Sequence, residues 1–158
     1  MTGSPGAAAA DPADVQAALD AAGPGGAVQT VEDMPGPTGE SNRLSLCTRP
    51  PLLCLGPGPE AAAAQVAAVR ALGGLAVPCP DRLTPTALTD LRGLSGAIWW
   101  GDDATARALA EALAARTGPI LPLITAAPDA AHVLLERHLC IDTTAAGGNA
   151  ALLAEVAG

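Results

Sequence analysis

The chain has 158 residues, with eight Arg, no Lys and 16 acidic side chains for a net charge of −8. This balance excludes a phosphate-backbone or anionic-membrane partner, both of which need clustered cations, and the missing Lys excludes a Schiff base or a P-loop. The length fits one domain with a tail, and with no Phe or Tyr, two Trp, 37 Ala and 21 Leu the core must be built mainly from Leu.

No apolar run approaches the roughly 18 residues of a membrane helix. Ala7 to Ala10 lack the cation and apolar region of a signal peptide. Cys47, Cys54, Cys79 and Cys140 show no C-x-x-C spacing and read as reduced thiols, so a cytoplasmic location is expected. Arg for every cation, together with abundant Ala, suggests a GC-rich genome.

Residues 1–27 are rich in Ala, Pro and Gly and read as a linker with a short helix. Asp11-Pro12 supplies an N-cap and a Pro at the first helical position, and Gly23 stops the helix. Val15, Leu19 and Ala22 give it only a weak apolar stripe, so low stability is expected. Residues 34–43, M-P-G-P-T-G-E-S-N-R, read as an irregular loop because of their Pro and Gly. Leu44–Cys47 and Leu52–Leu55 are short apolar runs, the second bounded as a buried strand should be. A helix is expected over Glu60–Leu72, stopped by Gly73-Gly74. A strand at Leu75–Val77, a helix from Thr84-Pro85 to about Leu91 and a strand at Ala97–Trp100 follow. Asp102 or Asp103 caps a helix to Arg116, and Ile120–Ile124 reads as a further strand. This alternation predicts an α/β fold with a mostly parallel sheet and helices on both faces, over residues 28–131. Residues 132–158 form a C-terminal extension: His132–Glu136 reads as helical, Leu139–Thr143 as a strand, Ala145–Asn149 as a glycine turn and Ala150–Val156 as a last helix.

Three groups of residues suggest chemistry. The turn G-P-G-P-E at 56–60 lies between a strand and a helix, where a dinucleotide loop would place pyrophosphate on helix N–H groups. Gly56 and Gly58 are its candidate cofactor-binding residues, and an NAD-binding oxidoreductase module is the function they would give. Ala61 stands at the third Gly position, which the looser pattern tolerates; against this reading, Pro57 and Pro59 carry no N–H, so a plain strand-to-helix turn is the competing reading. His138 and Cys140 share one face of a strand and, with Asp142, could form a thiol–imidazole pair or a metal site. The competing reading is a buried thiol beside a surface imidazole, and no four-ligand zinc spacing appears. Trp99 and Trp100 face opposite sides of a strand, where they would pack beneath helices or stack on adenine. The carboxylates scatter, and no pair is placed for glycoside chemistry.

The segment Met34–Arg43 and the tail Leu135–Leu153, L-E-R-H-L-C-I-D-T-T-A-A-G-G-N-A-A-L-L, together resemble the C-terminal region of the bifunctional proline utilization A family. The tail matches a closing motif of the type E-R-x-L-x-x-(N/D)-T-x-A-A-G-G-N-A over Glu136 to Ala150. That family couples an FAD-dependent proline dehydrogenase to an NAD-dependent L-glutamate γ-semialdehyde dehydrogenase. Its longer members carry an extra Rossmann-like domain of the aldehyde-dehydrogenase type. The resemblance implies a non-catalytic accessory domain that covers the dehydrogenase site and the cavity through which the intermediate passes. Glu136, Arg137, Thr143, Gly147, Gly148 and Asn149 would then be interdomain packing and lid positions. NAD and FAD would belong to the parent enzyme, with no cofactor bound by this chain and no catalytic or metal-binding residue of its own. The Lys that active aldehyde dehydrogenases place after the second strand is missing at Val77-Pro78-Cys79-Pro80, and no general-base Glu stands near Ile124-Thr125-Ala126. The partner implied is an aldehyde dehydrogenase module, in cis or in trans. An exposed lid surface would also favour self-association. Both catalytic modules of the family are missing, so a fragment, a split gene product and a module acting in trans all stay open.

Overall fold

The structure, a computed structural model, describes residues 9–142. Its elements run α1 (Pro12–Ala22), β1 (Val28–Met34), β2 (Glu40–Thr48), β3 (Leu52–Cys54), α2 (Gly58–Ala71), β4 (Ala76–Pro78), α3 (Pro85–Asp90), β5 (Gly96–Ile98), α4 (Asp103–Ala114), β6 (Leu123–Ile124), α5 (Ala130–Val133) and β7 (Leu134–Asp142). The fold is α/β. A four-stranded sheet has the order β4-β3-β5-β6, with every neighbouring pair parallel. A second sheet has the order β1-β2-β7, with β1 and β2 antiparallel.

The parallel strands are apolar throughout because both faces are covered. Successive residues of β3 serve opposite sides. Leu53 joins Val77, Ala97, Val15, Leu19, Leu88, Leu109 and Leu113 in a core under α1, α3 and α4. Leu52 and Cys54 join Ile98, Ile124, Val66, Val69 and Val133 in a second core under α2 and α5. Trp99 packs against the first core and Trp100 against the second, as expected of adjacent residues of an extended chain.

The chain divides into two compact units. One takes the chain up to Gly26 and Thr48–Leu134; the other takes Ala27–Cys47 and the chain from Leu135 onward. The hairpin of β1 and β2 therefore goes with β7 instead of with the parallel sheet. The physical reason is strand pairing: β2 is flanked by β1 and β7.

Several local expectations are corrected. The short helix expected within residues 1–27 is α1, and its Val15 and Leu19 are buried in the first core, with Leu19 only 1% exposed. The expected loop at 34–43 shrinks to 35–39. Pro35, Gly36, Pro37 and Gly39 concentrate in that five-residue connection, which leaves Asn42 and Arg43 free to pair with Met34 and Asp33. The strand expected from Ile120 is reduced to β6, since Ile120 is 94% exposed and lies between Pro119 and Pro122. The helix expected over His132–Glu136 ends at Val133: Asp129 and His132 cap one turn reciprocally, and Leu134 already has extended backbone that begins β7. β7 covers the strand expected from Leu139 as far as Asp142. The glycine turn Ala145–Asn149 and the last helix lie outside the described residues.

If α1 is a core layer, Leu19→Ala should lower unfolding free energy by about 2–5 kcal/mol. Urea denaturation followed by circular dichroism measures this; a loss below about 0.5 kcal/mol would instead mark α1 as an appendage.

Candidate functional site

The chain enters the parallel sheet at β3, moves to β4 on one side, then crosses to β5 on the other. Such a reversal opens a crevice at the carboxyl ends of the strands, the usual position of ligands in open α/β sheets. A cavity of about 450 Å³ lies there, lined among others by Leu55 and Gly58 after β3, Arg82 and Leu83 after β4, Trp99 after β5 and Thr105 on α4.

Leu55, Pro57 and Gly58, which flank Gly56, line the cavity, and the Gly56 turn carries a contact that the sequence reading missed. Gln65 of α2 is fully buried. Its side-chain oxygen accepts from the Gly56 N–H at 3.0 Å, and its side-chain nitrogen donates to the Gly56 carbonyl at 2.7 Å. The main-chain N–H of Trp100 donates to the same carbonyl at 2.9 Å. Gly56 has φ +91°, and a Cβ there would fall 2.4 Å from Gly58 N, so only glycine fits. The signal for Gln65 was its place between Ala62 and Val69 on the buried stripe of α2, three and four residues away.

The turn offers fewer main-chain donors than a dinucleotide loop. Within 56–60, the Gly56 N–H is consumed by Gln65, and Pro57 and Pro59 have none. The N–H groups of Gly58 and Glu60 are what the segment retains at the start of α2.

The start of α4 is capped by its own carboxylate. Asp102 accepts from Thr105 N–H and from the Thr105 hydroxyl, both at 2.9 Å, and these bonds, the backbone one first, hold its carboxyl below the usual range. Trp99 donates its indole N–H to the Asp102 carbonyl at 3.1 Å. The same ring occupies the space beside Gly101, where a Cβ would lie 2.3 Å from it. Trp100 donates to the Ala126 carbonyl at 2.9 Å, so the stretch expected to lack a general base serves as an acceptor for an indole.

On β7, Glu136, Arg137, His138 and Cys140 are all exposed. Thr143, Gly147, Gly148 and Asn149 lie outside the described residues. The reading of Cys140 as a buried thiol is corrected: it is exposed, and its Sγ–H donates to Glu40 Oε1 at 2.9 Å. That hydrogen bond, then desolvation and the negative charges of Glu40 and Asp142, push its pKa up, which makes it a poor nucleophile. Among the described residues no three His, Cys, Asp or Glu side chains cluster as metal ligands. Burial pushes the Cys54 thiol up to about 12, with Arg70 opposing, and the Cys79 thiol up to about 11, with Asp81 adding to it. No helix of the described residues is long and apolar enough to cross a membrane.

Comparison with known proteins places these features in context. No protein-family model matches the chain. The bifunctional protein PutA of Escherichia coli (strain K12) is 36% identical over 143 residues, covering 76% of this chain and 11% of that protein. The chain is homologous to a segment of PutA. The Salmonella typhimurium PutA is 34% identical over 143 residues with the same coverage. The chain thus spans about a tenth of the length of the curated relatives it matches. Among solved structures, a mutant Bradyrhizobium japonicum proline utilization A aligns with a TM-score of 0.46 at 28% identity, covering 60% of this chain and 13% of that one.

Two outcomes follow from the thiols. Unfolded Cys54 and Cys79 ionise near their ordinary value, whereas in the fold they ionise at about 12 and about 11. Their contribution is therefore complete below about pH 8.5 and is lost as pH rises toward the folded values, by about 1.4 kcal/mol per pH unit per thiol. Urea midpoints at about pH 8 and pH 10.5 should fall less in a Cys54→Ala/Cys79→Ala variant than in the parent; equal falls would contradict this. In Glu40→Gln, alkylation of Cys140 by iodoacetamide at about pH 8 should run roughly two- to fivefold faster, because the charge that disfavours the thiolate is gone. An unchanged rate would mean that Glu40 does not control the thiol.

Proposed function

We propose that the chain is a non-catalytic accessory module of a bifunctional proline-oxidising enzyme, covering the L-glutamate γ-semialdehyde dehydrogenase site and the cavity that carries the intermediate. The observation that carries this reading is the 36% identity to PutA across three quarters of the chain. The chemistry of the chain supports it. The chain has no Lys, and its Gly56 turn has one N–H used by Gln65 and two positions taken by proline, which favours assigning the cofactors NAD and FAD to the parent enzyme.

Glu136, Arg137, Thr143, Gly147, Gly148 and Asn149 are the interdomain packing and lid positions in this reading. Paired glycines permit close backbone approach, and Asn and Thr can bond the main chain of a partner. Val28, Val31 and Met34 of β1 and Leu135 and Leu139 of β7 are exposed apolar side chains, which suits a surface meant to be covered. The partner is a dehydrogenase module, in cis or in trans, and without it the chain would self-associate. The net charge of −8 argues against a nucleic acid, and the reduced thiols suit a cytoplasmic location.

The test is a Gly147→Val/Gly148→Val variant in the assembly that contains this chain, with NADH formation from L-glutamate γ-semialdehyde as the readout. Activity should fall by roughly 10- to 100-fold if the glycines seat a lid on the site. Unchanged activity and unchanged assembly would overturn the assignment.

A further inference from the structure

We propose that the cavity at the carboxyl ends of β3, β4 and β5 binds an apolar α-amino acid as its zwitterion, with Asp81 meeting the ammonium and Arg82 the carboxylate. The volume of about 450 Å³ lies within the range of small-molecule sites, about 300–1,000 Å³. Its walls are apolar: Leu55, Leu83, Ala108, Leu109 and the Trp99 ring. The ring is fixed before any ligand arrives, because its N–H is bonded to the Asp102 carbonyl and its body occupies the gap beside Gly101.

The polar lining selects the charge type. Asp102 does not line the cavity, and its carboxylate is satisfied by Thr105, whose hydroxyl is used in the same contact. Asp81 and Arg82 are the charged residues that line the cavity, both are exposed at its rim, and among the described residues neither is in an ion pair. One carboxylate and one guanidinium beside an apolar chamber complement a ligand with one charge of each sign and an apolar side chain. They disfavour a nucleotide, whose two or more negative charges would face Asp81 with a single cation to offset them. The inference does not rest on the accessory role proposed above, and either can fail alone.

L-phenylalanine is the probe, titrated into the full chain by calorimetry and followed by NMR at the two indole N–H signals. One saturable site is expected, with the Trp99 signal moving and the Trp100 signal, on the opposite core, staying in place. Phenethylamine and 3-phenylpropionate, each lacking one charge, should bind about tenfold more weakly, and Asp81→Asn and Arg82→Gln should each cost about tenfold for L-phenylalanine. Ala108→Phe should fill the chamber and remove binding. No saturable binding, affinity indifferent to both rim variants, or a response at Trp100 instead of Trp99 would overturn the proposal. The rim variants are surface changes, so the test holds even if Ala108→Phe fails to fold.

Discussion

A single buried amide fixes the exit of the central strand. Gln65 closes both polar groups of Gly56 in a place where neither can reach water, and leaving a buried donor or acceptor unpaired costs about 1–3 kcal/mol. Through the shared Gly56 carbonyl, the same turn is tied to Trp100 just past β5. The ends of two neighbouring strands are thereby held in register, and with them the cavity wall formed by Trp99. The arrangement also removes one donor from the turn. A glycine turn of this kind can present its N–H to a phosphate or spend it on its own helix; here it is spent.

Short strands suit a chain so poor in aromatic residues. The parallel strands have two or three residues each, and Leu, Val and Ile supply their larger side chains, with Cys54, Pro78, Ala76, Ala97 and Gly96 filling the remaining positions. Alanine on α2 and α4 contributes little area but adds no bulk between helix and sheet. The two tryptophans lie beyond the strand end, where each has a carbonyl for its N–H. That is the condition under which a partly buried indole is tolerated.

The parallel sheet and its helices were legible because their signals are local. Asp11, Thr84 and Asp102 each cap the helix they precede by accepting a backbone N–H, and the Leu52–Cys54 run has the unbroken apolar character of a strand covered on both faces. The β1–β2 hairpin was illegible for a physical reason. All of β1 is exposed, so no apolar alternation marks it, and an irregularity between Val28 and Thr30 breaks what period there is. The burial of α1 depends on Val15 and Leu19 meeting strands far along the chain, which a weak stripe cannot announce. At the site, Gly56 was recognisable as a turn residue and the prolines as missing donors. Asp81 and Arg82 carried no pattern and gained meaning only when three strand ends converged on one cavity. The Glu40–Cys140 contact spans 100 positions and leaves no trace in local sequence.

That separation bears on the order in which the molecule assembles. Closing a flexible loop of about 100 residues costs about 4–5 kcal/mol of chain entropy, which a three-stranded sheet with an exposed β1 can ill offset by itself. Arg49 lessens the problem from within the other unit. Its main-chain N–H donates to the Val133 carbonyl at 2.8 Å, and its guanidinium Nε–H donates to the carbonyls of Ala131 and Leu134 at 3.0 and 2.9 Å. Once the parallel sheet has formed, the residue after β2 and the residues leading into β7 are already neighbours, and the long loop has been closed by other contacts. The β1–β2 hairpin closes over a connection of five residues, whereas β7 joins the same sheet from far along the chain, so local contacts favour the hairpin first.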